Sequence, residues 1–171
     1  MADTTQQFDV YDDKGNKIVE SQVSPVSITG LSPNTTYKGY QATYAGKSIK
    51  TAFPDFTTQD VVSGAPTLAV SPGDGKVDVT LTAGANLGSA ITDYKVYYTD
   101  GKTPLTMDLN SSLTGTITGL TNGTQYTFQA VAINGAGESA KSDSVTSTPV
   151  APEPTVGKVT TTATTANISL N

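Results

Sequence analysis

The chain has 171 residues and a formal net charge of −5 at pH 7, with a pI near 4.5. It contains no cysteine, histidine, tryptophan or arginine, so all ten basic residues are lysine. That inventory removes imidazole bases, thiolate nucleophiles, zinc fingers, iron–sulfur clusters and disulfides. An acidic chain without guanidinium groups also offers no basic patch to a phosphate backbone, which argues against nucleic acid.

The remaining Asp, Glu, Lys, Ser and Tyr form no recognisable catalytic set. No serine has a histidine partner, and no carboxylate pair sits at an acid–base spacing, so we expect no catalytic residue, cofactor or metal site. Hydrophobic residues make up 36% and aromatics 7%, enough for small sandwich cores but not for a large one. The thirty threonines are β-branched and suit the solvent face of a pleated sheet. The polar start has neither the basic nor the apolar part of a secretory signal. No apolar run reaches the ~20 residues that span a bilayer.

In chain order, residues 1–60 come first. Phe8-Asp9-Val10-Tyr11 opens a strand, and Asp12-Asp13-Lys14-Gly15-Asn16 reads as a hairpin turn. Asp9, Asp12, Asp13 and Asn16 form an acidic cluster, but not at EF-hand spacing. Residues 61–66 read as a linker. In the second segment, residues 66–148, Lys76–Thr82 alternates apolar and polar residues as a half-buried strand does. Ile91–Tyr98 is a second strand, with Tyr94, Val96 and Tyr98 on one face. Thr116–Gly119 ends another, and Tyr126, Phe128, Ala130 and Ala132 share a face of a further one. Ser71–Gly75 and Asp100-Gly101 are turns. Pro149–Pro154 is a proline-stiffened linker, and a Thr-rich tail completes residues 149–171. Sequons begin at Asn34, Asn110, Asn122 and Asn167; without an export signal we expect them unmodified. The loops Ala85–Ser89 and Asn134–Glu138 stand where a sandwich displays binding surfaces, though their composition suits short turns. No helical stripe is present, and the expected class is all-β, as tandem antiparallel β-sandwiches.

The chain also repeats itself. Ile28-Thr29-Gly30-Leu31-Ser32-Pro33-Asn34-Thr35-Thr36-Tyr37 matches Ile117-Thr118-Gly119-Leu120-Thr121-Asn122-Gly123-Thr124-Gln125-Tyr126 at a constant offset. The second copy, continued through Ala130-Val131-Ala132-Ile133-Asn134 to Gly137-Glu138-Ser139, resembles fibronectin type III domains. That resemblance implies a seven-strand sandwich over 66–148, with Leu120 in the core and Tyr126 pinning a corner between two strands. Leu31 and Tyr37 are the matching pair in the first segment. The family's buried tryptophan is missing, and Thr82 or Ala83 stands near its place.

The first segment resembles the same fold without its first two strands, since Phe8-Asp9-Val10-Tyr11 parallels Tyr94-Lys95-Val96-Tyr97. It reads as a small Ig-like or incomplete type III domain serving docking or assembly, with strands three to seven running to Phe56. The tail resembles the two absent strands: Pro154–Val159 and Ala166–Asn171 parallel Pro66–Val70 and Val77–Leu81. Three readings stand side by side. The tail of one subunit completes the first domain of another through Val156, Val159, Ile168 and Leu170; or a compact first domain carries a loose tail; or a third repeat is cut short. Burying those four side chains is worth about 6–12 kcal/mol as an upper bound.

The stretches Val10-Tyr11-Asp12-Asp13-Lys14-Gly15 and Ser24–Leu31, joined to a type III repeat, resemble decoration or fibre proteins of tailed bacteriophages of Gram-positive hosts. The resemblance implies a virion surface protein, made in the host cytoplasm, that docks on capsid or tail. Its expected partners are other virion proteins, further copies of itself and host cell-surface polysaccharide, with no nucleic acid or membrane. The alternative is a spacer or carbohydrate-adhering module from a secreted bacterial polysaccharide hydrolase.

Overall fold

The computed structural model describes residues 6–154, 156–161 and 165–170, with only the backbone of Val156, Lys158, Thr161 and residues 166–170. The described residues contain strands and no helix.

The N-terminal unit is built on one principal sheet. Its strands are β1 (Gln7–Tyr11), β2 (Lys17–Val23), β4 (Gln41–Tyr44) and β5 (Thr51–Ala52), in the order β2-β1-β4-β5. β3 (Thr36–Tyr37) pairs separately with β6 (Phe56–Thr57). The acidic cluster folds as a turn: the Asp12 carboxylate accepts the amides of Lys14 (3.0 Å) and Asn16 (2.8 Å) and the Asn16 side-chain amide (2.9 Å). Asp9 lies elsewhere, buried beneath β2, where it meets Lys17 Nζ at 2.9 Å and accepts the Ser21 amide at 2.9 Å. Ser21 has φ +50°, and the β1–β2 ladder is irregular beside it, so the buried carboxylate fixes a bulge in this edge strand.

The second unit is a complete two-sheet sandwich. β7 (Thr67–Gly73), β8 (Lys76–Thr82) and β11 (Thr114–Thr118) form one sheet in the order β11-β8-β7. The other holds β9 (Asp93–Thr99), β10 (Leu105–Asp108), β12 (Tyr126–Asn134), β13 (Gly137–Glu138) and β14 (Val145–Ser147), with β12 bonded to β9, β13 and β14. The period-two residues meet between the sheets: Val77, Val79 and Leu81 face Tyr94, Val96, Phe128, Ala130 and Ala132, each no more than 8% exposed.

Two expectations change. Thr82 and Ala83 are both exposed, and the inward position at that end of β8 is Leu81, because alternation in the pleat sends its neighbour to solvent. Ser71–Gly73 is strand, not turn, with Pro72 opposite Val77. β7 is a sheet edge, where a residue lacking an N–H is tolerated.

β15 (Val156–Thr161) and β16 (Ala166–Leu170) form an antiparallel hairpin that pairs with no other described strand.

Candidate functional site

Both Leu–Tyr pairs make the same local connection. The Tyr126 hydroxyl accepts the Thr121 amide at 3.1 Å, and the Tyr37 hydroxyl accepts the Ser32 amide at 2.7 Å. Each ties the start of its strand back to the turn five residues earlier, satisfying a backbone donor that no ladder reaches. Their burial differs: Leu120 and Tyr126 are both 8% exposed, whereas Leu31 and Tyr37 are only partly buried.

The linker between the units is bonded to one pole of the sandwich. The Asp60 carboxylate accepts the Val61 amide (2.9 Å), the Ser89 amide (2.8 Å) and the Ser89 hydroxyl (2.6 Å). The Asn134 side-chain amide donates to Val61 O (2.8 Å) and Ser89 O (3.3 Å), and Gly64 N donates to Ala85 O (2.8 Å). The Ser89 hydroxyl and amide, aided by the Val61 amide, hold the Asp60 carboxyl below its ordinary value. A Cβ on Gly88 would collide with the Asp60 carboxylate and the Val61 carbonyl. The loops expected to display a surface are therefore engaged by the chain's own linker. Ser89 and Asn134 lie in the two loops named from sequence, but their contact with Asp60 and its neighbour Val61 went unseen because these residues come from distant segments.

The opposite pole is bonded to the outgoing chain. Val150 N donates to Gly73 O (3.1 Å), Gly123 N donates to Pro149 O (2.9 Å), and Pro149 is fully buried. The nine residues of β12 separate the two poles by about 27 Å.

Among the described residues, the N-terminal unit has no counterpart of the sheet that covers this fold in its neighbour. Val10 pairs with Ala42 as Val96 pairs with Ala130, which makes β1 the counterpart of β9 and Phe8 that of Tyr94. Gly39, at φ +68°, accommodates the extra residue between Tyr37 and Tyr40 that this alignment requires. Tyr94 is 6% exposed and Ala132 fully buried, but Phe8 is partly exposed and Tyr44 is 54% exposed. A cleft of about 580 Å³ lies against Phe8, Ala42, Tyr44 and Ile49, and another of about 290 Å³ against Phe8, Val10, Val26 and Phe53. Val26–Thr29, the counterpart of β11, is not a strand. β11 bonds to β8, and no described strand of the first unit stands in that place.

The tail residues named from sequence stand in register with one another. Val156 pairs with Leu170 and Val159 with Ile168. Val159 is 53% exposed; the side chains of Val156, Ile168 and Leu170 lie outside the described residues. Moving β7 and β8 along the chain by the offset that separates Tyr37 from Tyr126 turns Val70↔Val79 into Val159↔Ile168. The same shift turns Ser71↔Asp78 into Thr160↔Asn167 and Pro72↔Val77 into Thr161↔Ala166, all three observed.

Residues 65–148 match the family model of the fibronectin type III domain. The second unit is a type III sandwich. Similar folds include domains d3–d4 of the rat CD45 extracellular region (18% identity, TM-score 0.58), aligned over 76% of this chain and 74% of that one. The FN5 domain of Drosophila Lar aligns over 52% of this chain and 98% of its own (20% identity, TM-score 0.44). The CD45 alignment extends beyond the type III segment, and these likenesses speak to fold alone. No curated protein matches the chain.

Proposed function

We propose that the chain is a non-enzymatic structural protein whose type III sandwich is a spacer, mounted in series on the surface of a tailed-phage virion. The observation that carries the spacer reading is the double attachment of the sandwich. Asp60, Ser89 and Asn134 bond the incoming linker to one pole, and Gly73 and Gly123 bond the outgoing linker to the other. A module held at both ends sets the separation and direction of its neighbours and leaves its lateral faces free.

The virion setting is supported by the resemblance of Val10–Gly15 and Ser24–Leu31 to phage decoration and fibre proteins. In that setting the N-terminal unit docks on capsid or tail. Many copies hold weakly to host polysaccharide, with avidity replacing single-site affinity. The test is co-sedimentation of the purified chain with purified capsids and, separately, tails. Saturable binding to one of them is expected. A chain that stays in the supernatant with both, yet is retained on cell-wall polysaccharide, belongs instead to the hydrolase-spacer reading.

A further inference from the structure

We infer that the hairpin β15–β16 of one copy completes the N-terminal unit of a second copy, so that copies of this chain join head to tail. In the second unit β7 and β8 cover Tyr94, Val96, Phe128, Ala130 and Ala132. On the counterpart face of the first unit, Val26, Ile28 and Phe53 cover Val10, but no described strand covers Phe8, Ala42 and Tyr44, and Tyr44 is 54% exposed. From Val159 to Thr161 the hairpin repeats the β7–β8 register at the repeat offset, before a one-residue shift toward Val156. It so sets Ile168 at the position of Val79 and Leu170, two residues on, at that of Leu81, which are 1% and 3% exposed. It also supplies what Val26–Thr29 lacks. β8 pairs Val77 with Ile117 and Asp78 with Thr116; the same pairing sets Ala166 opposite Ile28 and Asn167 opposite Ser27. The incoming strand thereby converts an unbonded segment into a ladder, the mode of strand addition at an open edge.

The hairpin cannot serve its own chain. The outgoing linker is fastened at Gly73, about 27 Å along the sandwich from the pole where the first unit attaches. Residues 150–155 span at most ~20 Å when fully extended, and the uncovered face belongs to the unit that joins at that far pole. A second copy is therefore the occupant. The contact joins two different surfaces, so it propagates into a ring or a fibre.

The test exploits the absence of cysteine. Ser27→Cys and Asn167→Cys occupy positions that would be directly opposed on the solvent side of the new ladder, where cross-strand Cβ atoms lie about 4.5–5.5 Å apart. The double variant, oxidised at rising protein concentration, is expected to give a ladder of disulfide-linked dimers, trimers and higher species. Each single variant gives dimers at most, and adding Ile168→Asp, in the tail, abolishes the ladder. Unmodified chain is expected to gain mass with concentration in light scattering, and the Ile168→Asp chain to remain a monomer. A disulfide closed within one chain would overturn the inference, because the occupant would be the chain's own tail. So would a monomeric mass at every concentration, or a ladder that Ile168→Asp leaves intact. None of these results bears on co-sedimentation with virion parts, so the two ideas fail separately.

Discussion

At Tyr126 one phenolic oxygen accepts the Thr121 amide while its ring fills the core beside Phe128. Tyr126→Phe keeps the ring and removes the acceptor, leaving a part-buried amide unpaired. A loss of about 1–2 kcal/mol is expected, read as a lower urea midpoint with an unchanged slope. Asp9 makes a different kind of contribution. Its carboxyl is held below its ordinary value of 3.8, first by the Lys17 ammonium and then by the Ser21 amide. A folded pKa below the unfolded one stabilises at neutral pH, and that gain disappears as pH falls through the folded pKa. Asp9→Asn is therefore expected to lower the urea midpoint at pH 7, with the gap to the unmodified chain closing below about pH 4. The Leu120–Tyr126 pair was legible because its spacing is local and repeated. The bonding of Asp60 to Ser89, and of Asn134 to Val61, was not, since a polar contact between distant segments leaves no periodicity behind.

Among elements, the same strand meets opposite fates in the two units. β9 packs against a facing sheet and β1 meets none among the described residues, so the counterparts Tyr94 and Phe8 carry different loads. Tyr94→Ala is expected to cost about 3–5 kcal/mol, as large-to-small changes of buried aromatics do. Phe8→Ala, in isolated chain at low concentration, should cost well under half of that in urea titrations. Period-two alternation made β8, β9 and β12 readable, because each buries one face against a facing sheet. Val26–Thr29 carries the same alternation without being a strand, and the Pro-Gly content around Pro72 read as a turn where the chain is an edge strand. The junction offers a third test at this scale. Gly88→Ala forces a methyl group into Asp60 and Val61, so limited proteolysis should cut faster within 59–64. The urea midpoint of the type III unit should not move.

The whole molecule combines two cores of unequal depth. Twelve buried hydrophobic residues gather in the second unit, against Val10, Val19 and Tyr40 in the first. The N-terminal unit should therefore open first, and hydrogen exchange should be faster in β1, β4 and β5 than in β8, β9 and β12. If copies join as inferred, the melting temperature of the first unit will rise with protein concentration while that of the second stays fixed. All-β class and the repeated Leu–Tyr corner could be read from the residues alone. How the linker meets the sandwich could not, since that depends on which loops share a pole.

The attachment of the chain at opposite poles has a mechanical consequence. Tension between Val61 and Val150 draws β7 toward one pole and β14 toward the other, along their own axes. The bonds from β7 to β8 and from β14 to β12 run across that direction. They resist together in shear, instead of unzipping one rung at a time. Such a link passes a pull along the chain while changing little in length.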